Sequence, residues 1–496
     1  MSIQTKNAYR LHAVACAVAL AVAALTGCMN LAPNYAAPTD VVPAEVGTAA
    51  APAQATPASL DAAQALAWVQ SPGLREALAL ALANNRDLRV ALANIDRARA
   101  QYGIAEADLL PSINANGQGS RNRTAADLAS NGRSAVVTQY TAQLGMTSYE
   151  LDLWGRVRNL NEAALQAFLQ SGENQRNVQL TLLADVANAW LTLAADQARL
   201  ALAEQTLAAR RQSFALTERM HELGSTSGLV LEQNRTTVDA ARADVASFNS
   251  QVVRDRNLLQ LLVGGPLPES AMPAPLQLSA QAPAAALLPL PVPLPSSVLL
   301  ARPDVRAAEH QLRAMNANIG AARAALFPTI SLTASVGTGS NELSGLFGSG
   351  NSTWSFVPLV RLPIFDGGRN RANVAVAQAN EQVALAQYEK AVQTAFRETA
   401  DALADRAQWT ERLAAQASLV ASTQKAFELS EARFKSGVDN YLAVLDAQRS
   451  LYAAQQTLIT LQLQEQLNRV SLVKVLGAEP AAAAPAVAAA AAPLSR

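Results

Sequence analysis

Histidine and cysteine are almost missing from this 496-residue chain, which has three His (His12, His221, His310) and two Cys (Cys16, Cys28). That leaves too few ligands for a His/Cys zinc site and too few thiols for a disulfide framework or cysteine-based catalysis. Net charge is also missing, because 39 Lys and Arg balance 39 Asp and Glu. A nucleic-acid binder needs surplus cations to neutralise phosphates, so that class is excluded. Aromatic residues make up only 5% of the chain although 50% is hydrophobic, and alanine supplies much of the difference. Alanine favours helix but buries little area, which points to long, closely packed helices rather than one thick core. Beyond the N-terminal leader there is no apolar run long enough to span a bilayer as a helix, so any membrane-spanning part must be β-barrel. Catalytic motifs are missing too: there is no GxxxxGK[ST], HExxH or CxxC. In Gly224-Ser225-Thr226-Ser227-Gly228, Thr stands where a nucleophile elbow needs Ser. The chain therefore reads as a non-enzyme without a metal or a bound cofactor.

What is present begins with a leader. Lys6 and Arg10 precede an apolar stretch from Leu11 to Leu25, which ends in Leu25-Thr26-Gly27-Cys28. The pattern is that of a bacterial lipoprotein signal over residues 1–27, with Cys28 as the acylated first residue of the mature chain. Met29, rather than Asp, follows the cysteine, which is compatible with export to the outer membrane.

The rest is an internal duplication. Asp87 answers Asp304 and Pro111 answers Pro328, both 217 residues apart. Gly155-Arg156 answers Gly368-Arg369, Gly224 answers Gly437 and Gly264 answers Gly477, all 213 apart. The sequence divides into a lipidated segment (28–73, expected at the equator of the helices), a first repeat (74–264), a Pro-rich connector (265–297), a second repeat (298–477) and an Ala/Pro tail (478–496). Each repeat predicts the same order of elements. A helix comes first (Leu74 to Leu109; Pro303 to Leu326), then two strands with period-two alternation (near Ile113 to Ser120 and Tyr140 to Met146; Ile330 to Val336 and Trp354 to Ile364). A Pro-free helix follows from Arg156 or Arg369, about 100 Å long at 1.5 Å per residue. A glycine turn reverses the chain, and a helix about half as long returns.

Four strands cannot close a barrel, and an open edge cannot face lipid. Closure must come from several chains: two would give eight strands with a filled interior, and three would give twelve with room for a lumen. A periplasmic coiled-coil lipoprotein with an ordinary small sheet is the competing reading. It would be structural and non-conducting.

Two segments carry a resemblance. Leu300-Ala301-Arg302-Pro303-Asp304-Val305 with Phe327-Pro328-Thr329-Ile330, and Arg433-Phe434-Lys435-Ser436-Gly437-Val438-Asp439-Asn440-Tyr441-Leu442, resemble the outer membrane factor family of channel-tunnels, especially its NodT-type efflux lipoproteins. The resemblance implies a mainly α fold with a membrane β-barrel. Two tandem repeats would form a long antiparallel α-helical barrel plus four strands per chain, closing as a 12-stranded barrel in a homotrimer. It also implies location in the outer membrane with a periplasmic helical extension. The partners would be outer membrane lipid, a periplasmic adaptor protein and an inner membrane transporter, and the conduction of drugs or other small molecules would be passive. A type I secretion or metal-efflux outlet would share this fold.

The resemblance assigns a periplasmic gate to Leu442, Asp446 and Arg449, which recur at helical spacing after the second glycine turn. The positions that answer them in the first repeat are Leu229, Gln233 and Thr236, which carry no charge. An adaptor-facing tip is expected at Leu223, Gly224, Ser227, Ser436, Gly437 and Val438. Asp366-Gly367-Gly368-Arg369 reads as a strand-to-helix turn rather than an anion site, because Gly155-Arg156 repeats it.

Overall fold

The computed structural model describes residues 29–36, 69–128, 132–277 and 296–475. Cys28, the leader and the 478–496 tail lie outside those residues, as do parts of the 28–73 and 265–297 segments. The first repeat contains α1 (Pro72–Asn84), α2 (Arg86–Ala107), β1 (Ile113–Thr124), β2 (Ala135–Leu151), α3 (Arg156–Glu222) and α4 (Gly228–Val263). The second contains α5 (Pro303–Ala324), β3 (Thr329–Ser340), β4 (Ser352–Arg361), α6 (Arg369–Lys435) and α7 (Tyr441–Val475).

The single helix expected over Leu74 to Leu109 is broken at Asn85. Its Oδ1 accepts from the Leu88 N–H at 2.9 Å and caps α2, while its Nδ2 donates to the Leu262 carbonyl at 2.8 Å. One side chain thus starts a helix and ties it to the end of α4. In the second repeat Arg302 does the tying. It forms a bidentate pair with Asp304 (3.0 and 2.7 Å), reaches Glu398 at 2.9 Å and donates to the Val475 carbonyl at the end of α7. This is the structural task of the Arg-Pro-Asp segment.

The chain divides into two compact units, and neither is a repeat. One draws on Met1–Pro38, Ile95–Ser171 and Ala308–Tyr388, the other on Thr39–Asn94, Gly172–Ala307 and Glu389–Arg496. The first unit holds a four-stranded antiparallel sheet of order β1-β2-β3-β4. β2 and β3 come from different repeats, so their pairing joins the two halves. A bulge between Met146 and Tyr149 puts Ser148 at φ 56°. Its N–H is met by the Thr333 hydroxyl at 3.2 Å.

The register sorts the side chains by face. Ile113/Met146, Ala115/Leu144/Val336/Trp354, Ala334/Phe356 and Ile330/Val360 share one face. Asn116/Gln143, Gln118/Thr141 and Ser335/Ser355 share the other, joined at the far strand by Val357 and Leu359. In the protomer, Leu144, Val336, Trp354, Phe356 and Val360 are all exposed. Among the described residues the outer edges of β1 and β4 pair with no further strand.

Residues 29–36 lie in this unit. The Met29 N–H donates to the Leu153 carbonyl (3.1 Å) at the turn between β2 and α3, and Asn30 accepts from Asn159 (2.8 Å). Tyr35 reaches Glu309 (3.4 Å). This part of the 28–73 segment therefore starts at the strand-to-helix turn rather than at the equator of the helices. Nearby, Trp154 stacks on Phe327 (4.8 Å) and donates to the Pro328 carbonyl (2.8 Å).

In the second unit Leu74, Ala77, Ala81, Val186, Leu191, Leu193, Leu259, Val263 and Ile459 form the main apolar cluster, with the Trp190 indole donating to the Ala271 carbonyl at 2.9 Å. Among the described residues one helix, α3, is long and apolar enough to cross a membrane, but 61% of the qualifying stretch is buried within the protein. Packing explains that stretch.

Candidate functional site at the glycine turns

Both glycine turns are built alike. α3 ends with Gly224 at φ 71° and α6 with Gly437 at φ 73°, the left-handed conformation that glycine adopts without a Cβ penalty. The Ser225 N–H bonds the Met220 carbonyl (2.8 Å) and the Gly224 N–H bonds the His221 carbonyl (2.9 Å). Val438 to Arg433 (3.0 Å) and Gly437 to Phe434 (2.9 Å) repeat the pattern, which is a Schellman motif in each repeat. The return helices are then capped: Ser227 Oγ accepts from the Val230 N–H (3.4 Å) and Asn440 Oδ1 from the Ala443 N–H (3.3 Å).

The four helix ends of the two repeats meet here. Tyr441, Val444 and Leu445 form a buried cluster with Val230, Phe427 and Phe434 against them. Tyr441 meets the Phe434 ring edge-on (5.1 Å) and pairs its hydroxyl with that of Ser213. Burial pushes the Tyr441 phenol up. Asn234, fully buried, donates to Thr217 at 2.8 Å. One layer deeper, buried Arg210 donates to the Thr237 carbonyl (2.9 Å) and lies 5.5 Å from the Tyr452 ring, while the Tyr452 hydroxyl donates to Asp244 (3.2 Å). Burial and the Asp244 charge push the Tyr452 phenol up to about 12.

The residues expected to form the gate and the tip fall at this end. Leu223, Gly224, Ser227, Ser436, Gly437 and Val438 are exposed on the turns. Ser227 is at the same time a helix cap, and Ser436 Oγ donates to the Arg433 carbonyl (2.9 Å). Leu442, Asp446 and Arg449 share the outer face of α7, opposite buried Val444 and Leu451 and flanked by buried Leu445. Leu442 is 48% exposed. Asp446 and Arg449 approach to 3.8 Å with side chains 67% and 56% exposed.

Two features went unread in the sequence. Arg433 clamps Asp439 across the second turn with bonds of 2.5 and 2.9 Å and holds that carboxyl below its usual range. The answering residues in the first turn are Met220 and Thr226, so no ion pair spans it; His221 bonds the Thr226 carbonyl (3.0 Å) and the Ser225 hydroxyl donates to the Met220 carbonyl (2.7 Å). The signal was an Arg and an Asp flanking the glycine. The first return helix also carries its own acid–base pair, Glu232 with Arg235 at 3.1 Å, one position out of register with Asp446 and Arg449. The strand-to-helix turn at Asp366 leaves no room for an external anion, because its carboxylate already accepts from the Gly368 and Asn370 N–H groups (both 2.9 Å). Among the described residues no group of His, Cys, Asp and Glu is arranged to hold a metal.

The sequence profile described as "Outer membrane efflux protein" matches residues 77–265 and 294–478. The toluene efflux pump outer membrane protein TtgC of Pseudomonas putida is 44% identical over 384 residues, covering 77% of this chain and 78% of that one. The outer membrane protein OprJ of Pseudomonas aeruginosa is likewise 44% identical, covering 77% and 79%. The open-state MtrE outer membrane channel of Neisseria gonorrhoeae superposes with a TM-score of 0.80 at 36% identity, covering 91% of this chain and 99% of that one.

Proposed function

Because the chain belongs to the outer membrane efflux protein family, we propose that three copies form the exit duct of a tripartite pump, receiving drug-like or solvent-like small molecules through a periplasmic adaptor from an inner membrane transporter. As a member of that family it is an outer membrane efflux channel. The observation that carries the detailed reading is the sheet. One face is apolar, the other is largely Asn, Gln, Ser and Thr, and both edges are open. Three such sheets closed edge to edge give twelve strands with an apolar exterior and a polar lumen. A relative named for toluene efflux supports small apolar cargo.

In this reading no step of the chain's own chemistry drives transport, and it uses no cofactor beyond a lipid on Cys28. The bond from Met29 to Leu153 supports that anchor, since it holds the next residue beside the end of a membrane strand. Three copies of Leu442 would narrow the helical end by apolar contact, and three of Asp446 would form a cation-attracting ring with Arg449 alongside. The turns at Leu223, Gly224, Ser227, Ser436, Gly437 and Val438 would meet the adaptor. The arrangement of exposed apolar residues around cap-locked backbone supports this, because it offers a surface that is rigid before docking.

The test is reconstitution. The purified protein should have the mass of three chains after correction for detergent, conduct ions in a planar bilayer, and restore drug tolerance to a strain lacking its own outlet when adaptor and transporter are supplied. A stable monomer with native conductance would overturn the architecture. A conducting trimer that restores no tolerance with any pump would overturn the efflux assignment.

A further inference from the structure

The β1–β2 hairpin carries two cations on the wrong face for a lumen. Arg121 pairs with Thr138 and Arg123 with Val136, in the same alternating set as Ile113/Met146, Ala115/Leu144, Gly117/Ala142 and Gly119/Tyr140. That is the apolar face, which the family's outer membrane location turns towards lipid. Along the β1–β2 hairpin this face runs from Ile113/Met146 and Ala115/Leu144 through Gly117/Ala142 to the Tyr140 ring, and then to Arg121 beside Thr138 and Arg123 beside Val136. Tyr140 leans across Gly119, where an added Cβ would come within 3.2 Å of its ring. Aliphatic, then aromatic, then charged is the order in which a barrel wall leaves hydrocarbon and enters headgroups.

The heights agree. Eight residues separate Ile113 from Arg121, about 27 Å along the strand and about 20 Å along the membrane normal at the usual tilt. Arg123 stands about 5 Å higher, at the edge of an apolar band of about 25 Å. The helices attach at the Ile113 end of the sheet, so both arginines stand at the outer leaflet. Among the described residues neither has an ion pair or a side-chain hydrogen bond, and both are exposed. The one acid in that turn is Asp127. The second hairpin has no such pair, and its turn holds Glu342 instead.

We propose that Arg121 and Arg123 form an outward-facing clamp for a phosphate-bearing lipid of the outer leaflet. A guanidinium offers planar, paired donors that match phosphate oxygens, and it keeps its charge at any physiological pH. Closure of the trimer sets three clamps around the barrel, each beside an aromatic ring that supports the acyl-chain boundary. The assignment rests on the barrel reading above, and its test separates the two.

The trimer is purified in detergent and titrated with diphosphoryl lipid A, monophosphoryl lipid A or phosphatidylethanolamine, and bound lipid is counted by native mass spectrometry. The wild type should take up to three diphosphoryl molecules, with the preference falling as phosphate is removed. Arg121→Gln/Arg123→Gln should weaken binding about 25-fold, from about fivefold per arginine near an anionic surface. Arg361→Gln removes a strand cation from the opposite face, where Arg361 pairs with Thr329, and should change nothing. Sodium phosphate at equal phosphate concentration should not displace the lipid, and displacement would reduce the clamp to a small-anion patch. Equal binding by the double variant, or equal loss in Arg361→Gln, overturns the assignment. If the double variant fails to assemble, the headgroup series on the wild type decides. A wild-type trimer without headgroup preference removes the clamp and leaves the channel standing, whereas a wild type that forms no trimer removes both.

Discussion

If Leu442 and Asp446 line the constriction, a Leu442→Ala/Asp446→Asn double variant should change conduction far more than stability. Leu442 is 48% exposed in the protomer, so truncation forfeits about half of a full leucine burial, about 1 kcal/mol. Asp446 and Arg449 are 3.8 Å apart and both more than half exposed, a geometry worth well under 1 kcal/mol. The sum is too small to stop a trimer from assembling. The electrostatic consequence is different. A cation passing about 4 Å from one carboxylate gains about 1 kcal/mol even in the dielectric of water, or about fivefold local enrichment. Arg449 offsets part of that, so the cation-to-anion permeability ratio should drop about two- to fivefold, and more at low salt. Single-channel recording should show longer or larger openings from the lost leucine and the reduced ratio from the lost charge. Gln233→Ala, the answering change in the first repeat, should do less because it removes no charge. An assembled double variant with unchanged conductance and selectivity would refute the reasoning and leave this face of α7 to helix packing.

Intact-mass analysis should find a chain that begins at Cys28 and carries a diacylglyceryl group, and Cys28→Ser should slow processing without preventing barrel insertion, because one anchor is weaker than barrel burial. A mature chain that starts elsewhere without lipid ends that claim. Asp255 is pushed up to about 6 by burial and by neighbouring Asp196. The folded state therefore holds its proton more tightly than the unfolded chain, and this group's contribution to stability declines as pH rises from about 4 to about 6. Asp255→Asn should accordingly raise the thermal midpoint at pH 7.5 and leave it unchanged near pH 4, and a gain of equal size at both pH values would contradict the assignment. At Gly264, φ is 84° and an added Cβ would lie 2.5 Å from the Asn84 carbonyl oxygen. Gly264→Ala should therefore cost upwards of about 2 kcal/mol in denaturant unfolding. Gly437→Ala meets open space and should cost only the left-handed penalty of about 1–2 kcal/mol.

Much of the helical tip was legible because its signals are local. Gly224 and Gly437 end helices through their own backbone freedom, and Ser227 and Asn440 cap the next ones within three residues. The partnerships of Tyr441 with Ser213 and of Arg210 with Thr237 were not legible, since they join residues from different helices with no periodic signature. The Asn85 break escaped for the same reason. Asn within a helical run is tolerated, and only the distant Leu262 carbonyl makes it a junction.

By itself, the sequence determined the duplication, the element order and the alternation of the strands, because each depends on spacing along the chain and on the intrinsic limits of glycine and proline. Length and hydropathy alone leave α3 as a candidate span, and it is the burial of that stretch within the protein that accounts for its apolar character. Only the tertiary structure decided that the compact units mix both repeats, that β2 of the first pairs with β3 of the second, and that 29–36 starts at the strand-to-helix turn. It also decided which strand face holds Arg121 and Arg123. A side-chain period of two states that neighbours alternate, but the assignment of either set to lipid follows from cross-strand register, and register is set by hydrogen bonds between residues far apart in the chain.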